Sequence, residues 1–281
     1  MAWEQVIFEY DGTFNGFLCC VFESYTHRER PIAFYGDGVC LSLYPVRAVT
    51  TDPQHARRVY RSLTTRSTAA ADMVRKGYLT CMEDKEMHLY ALIRKLYRQG
   101  PAFLANQSDP ACLPVAAALR HLGGELEKLR GFIRFSEYNG VLGAEIEPKN
   151  HVLPLLRHHF CDRYANESFF LYDRTHQEML LYSGGRSRIL LVDHLHLALP
   201  DSEELRYRAL WKAFHRTVSI EERENPRCQN TNMPKRYRGT MTEFLPLDYE
   251  AQQRPIPPGE APAALSGRAA PDEKSAPGIP E

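Results

Sequence analysis

Apolar residues recur with helical spacing over roughly the first 130 positions and with a period of two over much of the remaining chain. Val6 to Tyr10 reads as a short strand and Asp11-Gly12 as a turn. Phe17, Leu18, Val21, Phe22 and Tyr25 then lie at i, i+1, i+4, i+5 and i+8, one face of a helix. Val39, Leu41 and Leu43 alternate as in a strand that stops at Pro45, and Asp52-Pro53 is a helix start. From there to Leu129 the pattern is almost entirely helical. Leu89, Leu92, Ile93 and Leu96 share the face of a segment that Gly100-Pro101 ends, and a further helix is predicted from about Ser108 to Leu119.

The period then changes. Phe132, Ile133 and Phe135 lead to Asn139-Gly140, followed by Val141, Ala144 and Ile146, the pattern of a two-residue hairpin. Pro154 falls in the first turn of a helix running to about Tyr164, and Phe169 to Tyr172, Met179 to Tyr182 and Ser187 to Val192 read as three strands. A last helix begins after Pro200, where Asp201 can cap and Glu204, three residues on, can reach back to the cap's amide. Its apolar face carries Tyr207, Leu210, Trp211, Phe214 and Val218. Helices first and strands second predict an α+β fold. The helical N-terminal half packs with a mostly antiparallel sheet of hairpin, helix and three strands, and a C-terminal helix comes after it. We read residues 1–250 as one domain, helix-rich over 1–129 and strand-rich over 130–250. The last 31 residues, 251–281, hold seven prolines and three glycines with no apolar period, the composition of a disordered tail.

Composition narrows the function. The 281 residues carry 35 Lys+Arg against 35 Asp+Glu, so a strongly basic coat protein is excluded. No apolar run reaches the ~18 to 20 residues of a membrane span, and Met1-Ala2-Trp3-Glu4 is not a leader pattern, so a cytoplasmic location and no membrane partner are expected. The seven cysteines (Cys19, Cys20, Cys40, Cys81, Cys112, Cys161 and Cys228) are scattered without a C-x-x-C pair. That argues against a disulfide framework, a simple zinc site and the three-cysteine signature of a radical-enzyme cluster. No cofactor is expected.

Positive charge gathers late in this neutral chain. Arg208, Lys212, His215 and Arg216 lie at i, i+4, i+7 and i+8 on the final helix, as one ridge. Downstream, Arg227 and Lys235-Arg236-Tyr237-Arg238 stand in a stretch without an acidic residue before Glu243. Phosphates bind such concentrations because neutralising them releases condensed counterions, and a tyrosine among the cations offers a stacking surface. Arg186 and Arg188, beside Gly184-Gly185, are secondary phosphate contacts or the outward arms of a hairpin turn. His194 and His196 after Asp193, and His158, His159 and Cys161 on a helix, lack a third and fourth ligand at a recognisable spacing, so no metal is expected. Cys19-Cys20 lies within an apolar helix and reads as core. No G-x-S-x-G elbow, P-loop or zinc-deaminase signature is present.

Several segments carry a family resemblance. They are Tyr10-Asp11-Gly12-Thr13-Phe14 with Gly16 through Tyr25, His159-Phe160-x-x-Arg163, Leu171-Tyr172-Asp173-Arg174, Asn232-Met233-Pro234-Lys235-Arg236-Tyr237, and Met241-Thr242-Glu243-Phe244. Over roughly Val6 to Leu247 the chain resembles an uncharacterised bacterial family of DNA metabolism and DNA repair proteins. The resemblance implies a radical-SAM partner similar to spore photoproduct lyase, and a uracil-DNA glycosylase-like domain with which the family's domain is found joined. It implies no catalytic residues. Arg238-Gly239 stands where a second aromatic is expected, which leaves stacking to Tyr237 alone. The expectation is an accessory that holds DNA or docks the lesion enzyme. Two rivals stay open: a scaffold that never touches nucleic acid, and a hydrolase using His158, His159 or the Asp193-His194-His196 group.

Overall fold

The computed structural model describes residues 3–36, 42–106, 108–193, 195, 197, 202–220 and 225–244, the side chains of 215 and 216 excepted. The strand expected through Val39 and Leu41, the pair His194 and His196, the cap at Asp201 and the Pro-rich segment 251–281 lie outside these residues. The fold is α+β, as the pattern predicts, with a helix near the C-terminal end. The chain divides into two compact units, Met1–Gly124 and Glu125–Glu281.

The first unit runs β1 (Glu4–Glu9), α1 (Phe14–His27), β2 (Glu29–Tyr35), β3 (Val46–Ala48), α2 (Pro53–Arg66), α3 (Thr68–Tyr78) and α4 (Lys85–Gln99). A 3-10 turn, Pro101–Ala105, leads on to α5 (Leu113–Phe132), whose residues from Glu125 onward belong to the second unit. The strands form a parallel sheet in the order β2-β1-β3. Central β1 buries Val6, Ile7 and Phe8 in succession, as a strand covered on both faces must. The helical half therefore holds a sheet of its own, which the periodicity did not reveal. Its edge strand β2 reads Glu-Arg-Pro-Ile-Ala-Phe-Tyr, and the register slips where Pro31 faces Val6 and Ala33 faces Ile7. Proline lacks the ladder amide and is tolerated at such an irregularity. Leu89, Leu92, Ile93 and Leu96 of α4 are all fully buried, as predicted.

α5 departs from its predicted bounds. It begins at Leu113 because Asp109 closes a turn first, its side chain accepting from the Ala111 amide (2.9 Å) and its carbonyl from those of Cys112 (2.9 Å) and Leu113 (2.8 Å). It continues to Phe132, so that residue, expected to lead into a strand, ends a helix instead, and the strand begins only at Ser136.

The second unit runs β4 (Ser136–Tyr138), β5 (Val141–Ile146), α6 (Leu153–Arg163), β6 (Phe169–Asp173), β7 (Glu178–Ser183), β8 (Arg186–Leu191), α7 (Ser202–Val218) and α8 (Pro226–Asn232). A 3-10 turn, Lys235–Thr240, closes it. The sheet order is β4-β5-β6-β7-β8. Neighbours are antiparallel except β5 and β6, where α6 carries the chain back to run parallel. At the β4–β5 turn Asn139 (φ 52°) and Gly140 (φ 82°) both take left-handed backbone, the requirement of a two-residue hairpin. The apolar residues of α7 are exposed: Tyr207 60%, Leu210 56%, Trp211 43%, Phe214 56% and Val218 57%. No helix among the described residues is long and apolar enough to cross a membrane.

Candidate nucleic-acid interface

The late basic segment is built as an anchor. Asn225 caps α8, its side chain accepting from the Cys228 amide (3.0 Å), and Pro234 stands immediately before the 3-10 turn. This turn buries Tyr237, 4% exposed, with its ring 5.6 Å from that of Phe132. Arg236 lies over the tyrosine ring at 4.4 Å and donates to the Tyr237 hydroxyl and to Oε1 of Glu125, the latter at 2.7 Å.

Glu125 is itself buried. It accepts from the amides of Lys149 (3.1 Å) and Asn150 (2.9 Å) and from Nδ2 of Asn150 (2.6 Å). Burial pushes its carboxyl up, but the two amides, the Asn150 side chain and Arg236 outweigh that and hold it below the usual glutamate range. A second pair, Arg134 with Glu243 (2.8 Å), ties the residues just beyond the turn. Arg238 donates to Asn230 (2.9 Å) and to the Met233 carbonyl (3.2 Å), and lies over the Phe244 ring at 5.1 Å.

Several expected contacts are thus engaged within the fold. Arg236 is neutralised by Glu125, and both the burial of Tyr237 and the guanidinium over its ring leave no open face for a base. Arg208 pairs with Glu204 (2.7 Å), donates to the Ser136 hydroxyl (2.6 Å) and has a side chain 10% exposed. Lys212 is half-buried. Arg227 and Lys235 are exposed and make no ion pair among the described residues.

Arg186 and Arg188 are exposed on β8, an edge strand. Gly184 (φ 57°) and Gly185 (φ 77°) form the two-residue turn of the β7–β8 hairpin, so their freedom is used by the turn itself. The basic residues do not share one strand edge. Arg208 binds β4 through Ser136, whereas β8 lies at the far side of the sheet, four strand spacings or about 19 Å away.

His158 and His159 are engaged separately. His158 is exposed on α6 and pairs with Asp162 (2.6 Å), and the ring of His159 rests on that of Phe160 at 4.9 Å. Desolvation and the nearby Arg130 and Arg163 push the His159 imidazole down, toward its neutral form. A closer histidine pair went unnoticed in the sequence: His151 and His176, ring centroids 3.7 Å apart, with His176 Nδ1 2.7 Å from buried Asp173. Asp173 also accepts from the Thr175 (2.9 Å) and His176 (3.1 Å) amides, which makes it the lock of the β6–β7 turn. Among the described residues no three His, Cys, Asp or Glu side chains are arranged to hold a metal.

In the first unit the Tyr10-to-Gly16 motif joins β1 to α1. Asp11 accepts from the amide (3.0 Å) and hydroxyl (2.8 Å) of Thr13 and from the Thr51 hydroxyl (2.7 Å), while Thr13 caps α1 through the Gly16 amide (2.9 Å). A Cβ at residue 16 would fall 2.1 Å from Asp11 Oδ1, so only glycine fits. The Tyr10 hydroxyl is 2.9 Å from that of Tyr78 and donates to Glu86 (2.9 Å), and burial pushes both phenols upward. Cys19 and Cys20 are buried, and desolvation raises both thiols, as suits core residues.

A further basic surface, which the sequence reading did not single out, is on α2. Arg57, Arg58, Arg61 and Arg66 are exposed, the first three on the side away from its buried Ala56, Val59 and Leu63 and Arg66 at the edge of that buried face. With Gln54, Ser62 and Thr65 they border a shallow, open groove of about 750 Å³ along this helix. Arg58, Arg61 and Arg66 have no carboxylate partner among the described residues, and the flanking Asp52 and Asp72 are occupied. Asp52 caps α2 through the Gln54 amide (2.7 Å), and Asp72 binds Arg75 (3.0 Å) and Lys76 (2.7 Å). A sequence signal existed: Pro53 to Ala71 contains four arginines and no acid, the same feature that drew attention to residues 227–242.

The model of a family described as a domain of unknown function (DUF4130) matches residues 83–243, more than half of the chain. The opening Tyr10-to-Gly16 motif and α2 precede the matched residues. No curated protein matches the chain.

Proposed function

The chain belongs to the family described as a domain of unknown function (DUF4130), and from the resemblance carried by its sequence motifs together with the arginines of α2 we propose that it is a DNA-binding accessory in DNA metabolism or repair. It holds DNA for a lesion-processing enzyme, which the family resemblance makes a radical-SAM protein similar to spore photoproduct lyase, or a uracil-DNA glycosylase-like domain. One observation carries the reading: a neutral chain displays an open groove bordered by arginines, three of which have no carboxylate partner among the described residues. Arg227, Lys235, Arg186 and Arg188 are exposed and serve as secondary phosphate contacts. Arg208, Lys212, Arg236, Tyr237 and Arg238 contribute mainly through the local structure that presents them. The test is binding of the full chain to single- and double-stranded DNA at low and moderate salt. Measurable affinity that falls as salt rises is expected, since each neutralised phosphate releases counterions. Affinity that stays undetectable at low salt removes the reading.

The exposed apolar face of α7 favours a second reading, a scaffold that docks the enzyme without touching DNA. Co-purification with the radical-SAM partner separates them. A complex that survives while the isolated chain ignores DNA, and that Trp211→Glu disrupts, selects the scaffold.

A further inference from the structure

We infer that the first unit binds single-stranded nucleic acid along α2, with phosphates on Arg58, Arg61 and Arg66 and an unpaired base on Tyr25, the exposed ring of the aromatic cluster that borders them. The inference rests on the DNA-binding reading and names its ligand and surface. From Arg58 to Arg66 the helix rises about 12 Å, and these cations are exposed along that length. Both ends of the row meet rings. Arg58 lies over Phe22 at 5.7 Å, and Phe22 stacks on His55 with centroids 4.0 Å apart. Arg66 lies over Tyr97 at 4.7 Å, and the Tyr97 hydroxyl donates to Ser62 (2.8 Å) at the groove's border.

From Tyr97 the rings continue outward. Tyr25, 38% exposed, packs edge-on to Tyr97 at 5.6 Å, Trp3 packs edge-on to Tyr25 at 5.4 Å, and Arg94 lies over Trp3 at 4.5 Å. The result is a run of cation, ring, ring, ring, cation beside an arginine-bordered groove. An acidic peptide or a lipid headgroup would use the charge alone. A duplex would offer its phosphates but keep its bases stacked inside. A single strand engages both features, because every base has a face that can lie on an aromatic ring or a guanidinium plane.

The experiment titrates the full chain against a labelled oligothymidylate, the matching duplex, and heparin as a polyanion without bases. Single strands are expected to bind about tenfold or more tighter than duplex. Arg58→Ala with Arg61→Ala should weaken that binding about tenfold at low salt and make its salt dependence shallower, by about 0.7 in log–log slope for each phosphate that is no longer neutralised. Tyr25→Ala should weaken it about fivefold or more without altering the slope, with thermal melting run in parallel to show that the variant remains folded at the assay temperature. Arg61→Glu, at a fully outward position, provides a second variant that keeps the fold. Equal affinity for single strand, duplex and heparin overturns the inference, as does a Tyr25→Ala variant that binds like the parent. Affinity lost only on replacing Arg227 and Lys235 also overturns it, while leaving the DNA-binding reading standing. Failure to bind any nucleic acid removes both.

Discussion

The chain contains two acid-free basic runs, Pro53 to Ala71 and Arg227 to Thr242, each with four Lys or Arg residues, and the structure uses them differently. In the later run Arg236 neutralises buried Glu125, Arg238 is bound to Asn230 and the Met233 carbonyl, and the single tyrosine is packed against Phe132. In the earlier run an amphipathic helix puts its apolar residues into the core and leaves its arginines exposed, with Arg58 over Phe22 and Arg66 over Tyr97. The same number of positive charges therefore gives an internal clasp at Arg236 and Arg238 in one place and an exposed row in the other. What separates them is the neighbourhood: a desolvated carboxylate sits beside Arg236 of the later run, and among the described residues none pairs with Arg58, Arg61 or Arg66 of the earlier one.

The contrast breaks most readily at Glu125. Its removal leaves the Arg236 guanidinium and two backbone amides without their acceptor, so Glu125→Ala should cost the second unit about 3 to 5 kcal/mol. Urea unfolding of the full chain reads this, and a transition unchanged from the parent would show that the clasp contributes nothing. Next, replacing Arg58 and Arg61 with alanine should weaken DNA binding about tenfold while stability holds, because neither bears a buried partner. The paired change of Arg227 and Lys235 to alanine should weaken it about twofold. Reversal of that order would move the interface to the second unit.

A pH titration sharpens the contrast. The Glu125 carboxyl is held below its ordinary value of 4.5, so its stabilising contribution is complete above that value and disappears as pH falls through the lower folded one. Unfolding of the second unit should therefore become easier only in the acid range below about 4.5, and Glu125→Gln should flatten that dependence. The smallest effect is expected at Lys235, where alanine should change stability by no more than about 0.5 kcal/mol, as measured by thermal melting.

How far the fold was legible depended on how local its causes are. Asn139-Gly140 announces a hairpin because two successive left-handed residues admit little else, and Asp52-Pro53 announces a helix because cap and first turn are adjacent in the chain. The parallel pairing of β1 with β2 and β3 carries no such mark. Its partners lie some 25 to 40 residues apart, and β2 breaks the apolar pattern with Glu29, Arg30 and Pro31. Glu29 is buried there because Arg47 of β3 reaches it, a pairing invisible in either segment alone. The site shows the same division. Arginines were legible as cations in both runs, but Glu125, some 110 positions before Arg236, could not be read as its partner.

Local sequence determined most helix and strand positions, the tight turns and the locations of the basic runs, since those are set by backbone preference and by which side of an element is apolar. Tertiary structure decided which cations remain on the surface, because desolvating a carboxylate draws a distant arginine inward. It also decided which aromatic rings stand beside the arginines of α2, because Trp3, Tyr25 and Tyr97 meet only when three separate segments pack together.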